Sequence, residues 1–202
     1  YLEEINQTIL VPFLEGLKKD NLDFRGIIFI GLMIGDNGIK VLEFNTRFGD
    51  PEAQSILNRI DNDLLEIMEK TYENKLSDIE IIENDKKVVT LVLASGGYPM
   101  DYEKGFAIKG LEDVSDVKVY HGGTSQSDGK ILTSGGRVLS VVAIEDSFEE
   151  ARLKAYEESE KIEFKNKYFR DDIGFLVNRY YTEKDSKLFN ENKNLRENIK
   201  KD

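Results

Sequence analysis

Apolar side chains at Ile5, Ile9, Leu10, Phe13, Leu14 and Leu17 recur at the spacing of one face of an α-helix. Pro12 falls inside that run and is expected to interrupt or kink it, because proline lacks an N–H and its ring clashes with the preceding turn. After Gly26, residues 27–34 (IIFIGLMI) form a β-rich apolar run. Asp36-Asn37-Gly38 predicts a hairpin turn, since Asn and Gly tolerate positive φ. Residues 39–45 (IKVLEFN) form the return strand. The loop TRFGDPE follows, and Pro51 after Asp50 suits the first turn of a helix. Helices are expected over about 52–59 and 62–73.

The polar, acidic stretch 74–86 predicts a linker or surface excursion, and a second set of strand signals lies beyond it. Residues 88–94 (VVTLVLA) read as a buried strand ending at Ser95-Gly96-Gly97, and 117–121 (VKVYH) alternate. Residues 130–133 lead into Ser134-Gly135-Gly136, and 137–144 (RVLSVVAI) give the strongest strand pattern of the chain. Ser147, three residues before Glu150, has the spacing of a capping box for a helix over about 148–162. Beyond Gly174 the pattern decays. Residues 182–202, rich in Lys, Glu and Asn, read as an exposed helix or frayed tail.

Composition narrows the function classes. With 40% hydrophobic and 33% charged residues the 202-residue chain has the make-up of a soluble globular protein of one or two domains. Its net charge of −11 repels phosphate backbones, so no nucleic-acid partner is expected. A phosphate-bearing ligand would need a metal ion or a few placed basic residues. The absence of Cys excludes disulfides and thiolate metal sites and fits a reducing, cytoplasmic location. No apolar run is long enough to span a bilayer, so no membrane association is expected. A single His leaves no room for a His-rich metal site. Tyr1 stands where an initiator Met would, which predicts a fragment or a processed product.

Two constellations have chemical content. Glu43 and Asn45 lie two apart on the second strand, so they share a face about 7 Å apart at Cα level. A carboxylate and an amide oxygen make a hard half-site that Mg²⁺ completes with water and substrate phosphates. The same pattern also suits a half-exposed edge strand. Arg47, Gly49, Asp50 and Glu52 follow at the start of a helix, whose free N–H groups favour anions, and a guanidinium there can clamp a phosphoryl group with paired donors. An ordinary strand-to-helix turn would look similar. Gly135-Gly136-Arg137 could offer backbone donors to a phosphate or ribose, or be a tight turn. His121 could contact substrate or be a structural residue. Lys104 and Arg170 could meet a ribose phosphate or simply be solvated.

The run GLMIGDNGIKVLEFNTRFGDPEAQ (31–54) resembles the closing hairpin and metal loop of the ATP-grasp ligases, and more narrowly of the phosphoribosylamine–glycine ligases. LASGGYP (93–99), Lys104-Gly105, HGGT (121–124), TSGGRVLSV (133–141) and YFRDDIG (168–174) are similar to the C-terminal domain of that family in order and spacing. The resemblance spans about 9–174. One departure is Gly122, where the family usually has Ala.

The resemblance implies an α+β fold: the C-terminal part of an ATP-grasp domain, antiparallel sheet plus helices, over 1–80. A small β-rich C-terminal domain would follow over 87–180, with a polar tail at 181–202. It implies an ADP-forming ligase of purine biosynthesis that uses ATP, glycine and 5-phosphoribosylamine. Glu43 and Asn45 would hold Mg²⁺ or Mn²⁺, and Arg47 would lie beside the transferred phosphoryl and the glycine carboxylate. Asp50 and Glu52 would orient Arg47 or the amine, and Gly136 and Arg137 would contact substrate. The lid of an ATP-grasp fold and its N-terminal domain would lie upstream of Tyr1, as a missing N-terminal part of the same enzyme, so the chain alone is expected to be inactive. The alternatives are another ATP-grasp carboxylate–amine ligase or carboxylase, and a non-catalytic sugar-phosphate-binding module.

Overall fold

The computed structural model describes residues 1–35 and 37–175; Asp36 of the expected hairpin turn and the 181–202 tail lie outside the described residues. The chain forms an α+β fold in two compact units: Tyr1–Ala53 with Ile60–Glu83, and Gln54–Arg59 with the chain from Asn84 onward. The 83/84 division falls between the ranges 1–80 and 87–180 read from the sequence. The assignment of 54–59 to the second unit has no counterpart in that reading.

In the first unit, α1 (Leu2–Ile5) runs through a π-helical segment (Asn6–Leu10) into α2 (Val11–Lys19). The Val11 N–H reaches back to the Asn6 carbonyl, the five-residue step of a π-turn, immediately ahead of Pro12. Widening the turn where proline removes a donor keeps the helix continuous instead of breaking it at Pro12. Strands β1 (Phe29–Gly35) and β2 (Gly38–Asn45) pair antiparallel. Helix α3 (Glu52–Ile56) and a 3₁₀ turn (Leu57–Arg59) lead to α4 (Leu64–Tyr72). Asp63 caps α4 by accepting from the Leu65 N–H at 2.8 Å. The expected linker is pinned, because Asn62 donates to the Glu80 carbonyl at 2.8 Å and accepts from the Ile82 N–H at 2.6 Å.

The hairpin departs from simple alternation at one point. Gly31 pairs Glu43 and Leu32 pairs Val41, so Leu42 is an extra residue, a β-bulge. Directly paired residues share a face. Ile30, Leu32 and Ile34 therefore lie with Phe44, Val41 and Ile39, and this apolar face receives α2 through the stacked rings of Phe13 and Phe44, 4.9 Å apart. On the other face lie Phe29, Gly31 and Met33 with Asn45, Glu43 and Lys40. A Cβ placed on Gly31 would lie 3.1 Å from Glu43 Cγ and 3.7 Å from Leu42 Cβ, so Leu42 projects on that side too.

The second unit holds an antiparallel sheet ordered β4-β7-β3-β8, with β3 (Lys87–Ser95) and β7 (Arg137–Glu145) in the centre. Strands β4 (Lys118–His121) and β8 (Lys167–Tyr168) form its edges, and β5 (Thr124–Ser127) pairs with β6 (Lys130–Thr133) as a separate hairpin. Leu91, Leu93, Val138 and Val141 are wholly buried, as are Ala151 and Ala155 of α5 (Phe148–Lys161). Alanines on that helix face let it lie close on the sheet. Each buried leucine contributes about 2 kcal/mol relative to exposure. The expected capping box is present: Ser147 accepts from the Glu150 N–H and Glu150 accepts from the Ser147 N–H. The first unit contrasts sharply, since Gly49 is its sole buried residue among those described.

Glu158 of α5 is buried, with its carboxylate accepting from Lys161 Nζ at 2.7 Å and from the Ser115 N–H at 2.8 Å. Burial pushes its pKa up, but the hydrogen bonds from Lys161 and Ser115 outweigh burial and hold it below the ordinary glutamate value. A depressed folded-state pKa stabilises the fold above the unfolded pKa, and that stability is lost as pH falls through the folded value. Glu158→Gln is expected to cost about 1 kcal/mol near neutrality, the low end for a charge-assisted bond because Lys161 is itself 35% exposed. Urea unfolding of both proteins across acidic pH should show the difference shrinking below about pH 4; a pH-independent difference would contradict this account.

Candidate active site

The register from Gly31↔Glu43 to Phe29↔Asn45 is unbroken, so Glu43 and Asn45 do share a face, as expected from their spacing. Glu43 is exposed and Asn45 half-buried. The chain then turns at Thr46, and the Arg47 guanidinium folds back over that turn. It donates to the Phe48 carbonyl at 2.8 Å and approaches Asn45 Oδ1 at 3.5 Å, a long contact. Among the described residues it does not pair with Asp50 or Glu52. The fold thus brings Arg47 to Asn45 and leaves both carboxylates out of that contact.

Gly49 closes the turn. The Glu52 carboxylate folds back into the space a Cβ at position 49 would need. The Ala53 N–H donates to the Gly49 carbonyl at 3.0 Å, which sets the first turn of α3. Asp50 and Glu52 both remain exposed. The Asp50–Pro51 peptide is cis.

Glu43 and Asn45 offer two hard oxygen donors, and no cluster of three or more His, Cys, Asp or Glu groups suited to a metal occurs among the described residues. Two protein oxygens fit Mg²⁺ or Mn²⁺, which accept water and phosphate oxygens for the rest of the shell, better than a cation that needs a complete protein cage. The extra residue at Leu42 is the feature that sequence reasoning missed. Strict alternation puts Ile39 and Val41 on the face of Glu43 and Asn45, and that mixture of apolar and polar residues is the signal that a phase slip intervenes.

In the second unit the glycine loops bind one another. Gly123 accepts from the N–H groups of Ser134 at 2.8 Å and Gly135 at 3.1 Å, and Ser95 Oγ donates to the Gly135 carbonyl at 2.9 Å. Gly136 is buried, its φ is not positive, and the ring of Tyr98 occupies the place of a Cβ there. Close approach to that ring, not turn conformation, therefore requires glycine. Arg137 is exposed at the start of β7. His121 Nδ1 lies 3.0 Å from Thr124 Oγ1, and Lys104 Nζ sits 5.4 Å from the centre of the Tyr102 ring. Arg170 grips Asp172 with two hydrogen bonds of 2.8 and 2.6 Å, and its guanidinium holds the Asp172 carboxyl below the ordinary aspartate range.

Residues 88–176 match the family described as Phosphoribosylglycinamide synthetase, C domain, and residues 1–53 match Phosphoribosylglycinamide synthetase, ATP-grasp (A) domain. The chain belongs to the phosphoribosylglycinamide synthetase family. It is 52% identical over 172 residues to the phosphoribosylamine–glycine ligase of Caldanaerobacter subterraneus subsp. tengcongensis, covering 85% of this chain and 41% of that protein. It is 42% identical to the trifunctional purine biosynthetic protein adenosine-3 of Gallus gallus, over 86% of this chain and 18% of that protein. The crystal structure of phosphoribosylamine–glycine ligase from Thermotoga maritima is similar with a TM-score of 0.70 at 35% identity, covering 79% of this chain and 40% of that one. The chain thus spans about two-fifths of the single-function ligases it matches. The synthetase ATP-grasp match ends at residue 53, where the first segment of the first unit also ends. No helix among the described residues is long and apolar enough to cross a membrane.

Gly136→Ala forces the Tyr98 ring aside and is expected to destabilise the chain by about 1–3 kcal/mol. Tyr98→Ala in the same protein should remove most of that penalty, giving a large coupling in a double-mutant cycle by urea denaturation. Additive effects would refute the packing account.

Proposed function

We propose that this chain is the C-terminal part of an ADP-forming carbon–nitrogen ligase that joins glycine to 5-phosphoribosylamine in de novo purine biosynthesis, in the cytoplasm. The observation behind this reading is the Glu43/Asn45 face running into the Arg47 turn, within a chain 52% identical to a phosphoribosylamine–glycine ligase. The partial span of its relatives and the nearly coreless first unit favour an enzyme whose N-terminal part completes that unit.

In this reading Glu43 and Asn45 would hold Mg²⁺ or Mn²⁺ at the nucleotide site. The bound metal supplies neutralisation of phosphate charge. Arg47 aligns the transferred phosphoryl with the glycine carboxylate, whose oxygen attacks the γ-phosphorus while ADP leaves. The amine of phosphoribosylamine then attacks the carbonyl carbon of the resulting glycyl phosphate, and phosphate departs. Asp50 and Glu52, exposed beside the turn and outside the Arg47 contact, orient the incoming amine. In the second unit, Gly136 and Arg137 are the proposed contact for a phosphate or ribose.

Glu43→Gln in the full-length enzyme keeps the shape and removes the charged ligand. ADP release followed against Mg²⁺ concentration should fall by several orders of magnitude, and near-normal turnover at low Mg²⁺ would remove Glu43 from the site.

Arg47→Lys tests the paired donors, because lysine offers only a point charge. A loss in kcat of about 10²-fold, or about 3 kcal/mol, with a smaller rise in KM for glycine is expected if Arg47 acts mainly in the transition state. A lowered melting temperature with kcat within a few-fold of the parent would instead make Arg47 a brace for its own turn.

A further inference from the structure

The bulge at Leu42 moves one more residue onto the carboxylate face. Under strict alternation Lys40 would point away from Glu43, with Phe44. The observed register pairs Lys40 with Met33, which is two residues from Gly31 on the regular strand β1 and so shares its face. Gly31 pairs Glu43, so Lys40, Glu43 and Asn45 all project to one side, opposite the side that Phe13 covers by stacking on Phe44. The Glu43/Asn45 pair is therefore flanked by two cations. Arg47 lies two residues beyond Asn45, and Lys40 lies three residues before Glu43.

Three residues of strand span about 10 Å, a gap that the flexible four-carbon stem of lysine largely bridges. Lys40 is exposed, and its ammonium forms no ion pair among the described residues. On a protein with net charge −11, a polyphosphate needs placed cations close to the metal. We propose that Lys40 is a further nucleotide-binding residue, whose ammonium meets the non-transferred phosphates of a nucleoside triphosphate held on the Glu43/Asn45 face. The inference rests on the ligase reading of that face.

Titration calorimetry of Mg·ATP into the full-length enzyme, without glycine, reads binding separately from turnover. Lys40→Met should weaken the Kd about tenfold, the size of a single charge-assisted contact. It should also flatten the dependence of Kd on KCl while leaving the melting temperature unchanged, and Lys40→Arg should restore binding to within a few-fold. Unchanged binding by Lys40→Met alongside weakened binding by Glu43→Gln would overturn the role of Lys40 and leave the ligase reading intact. Unchanged binding by both variants would overturn both. Weakened binding with a lowered melting temperature and no rescue by Arg would make Lys40 structural and likewise overturn the proposal.

Discussion

A β-strand has two faces and a period of two, and β2 carries polar side chains on one face while packing on the other. Its sequence, GIKVLEFN, cannot do so in simple alternation, because the odd positions mix Ile39 and Val41 with Glu43 and Asn45. The extra residue at Leu42 resolves the conflict. It advances the phase by one, so Phe44 joins Val41 and Ile39 under α2, and Glu43 and Asn45 join Lys40 on the open side.

The two units are stabilised in different ways. The second has its own interior, a central β3–β7 pair covered by α5, with leucine and valine wholly excluded from water. The terminus of α5 is secured by Lys167, whose ammonium donates to the carbonyls of Ser159 and Ile162 at 3.0 and 2.7 Å, a favourable place for a cation. The first unit is organised by local devices instead: a hairpin, the Phe13–Phe44 stack, the Asp63 cap, and Arg25 closing on the Tyr72 carbonyl at 2.6 Å. Its apolar side chains, among them Leu14, Leu65 and Met68, remain more than half exposed.

Much of the fold was legible because its signals are local. The Ser147–Glu150 box, the apolar runs of β3 and β7 and the alternation of β4 are written in neighbouring residues. What escaped the sequence depends on partners far along the chain. Strand β5, Thr-Ser-Gln-Ser, has no apolar period and is a strand only because β6 pairs with it. Strand β8 has two residues and exists through its bonds to Ala94 and Ser95. At the site, the shared face of Glu43 and Asn45 was legible from spacing alone, whereas the side taken by Lys40 was not, because a bulge is fixed by cross-strand register. Gly136 was legible as a constrained position, but its cause, the ring of Tyr98, lies 38 residues away by position number.

The placement of 54–59 also bears on how the molecule can be dissected. Ser55 and Thr90 share a hydroxyl hydrogen bond of 2.7 Å, Asn58 donates to Tyr120 Oη at 3.1 Å and accepts from Lys118 Nζ at 2.5 Å, and Arg59 donates to the Asn84 carbonyl at 3.2 Å. The second unit is therefore discontinuous in sequence, and no single cut of the chain yields it whole and free of residues 60–83. A protease nicking the loop before Asn84 would release β3 and β4 without the short helical segment that their polar side chains bind. Circular permutation or grafting of this unit would have to bring that segment along as a separate strap.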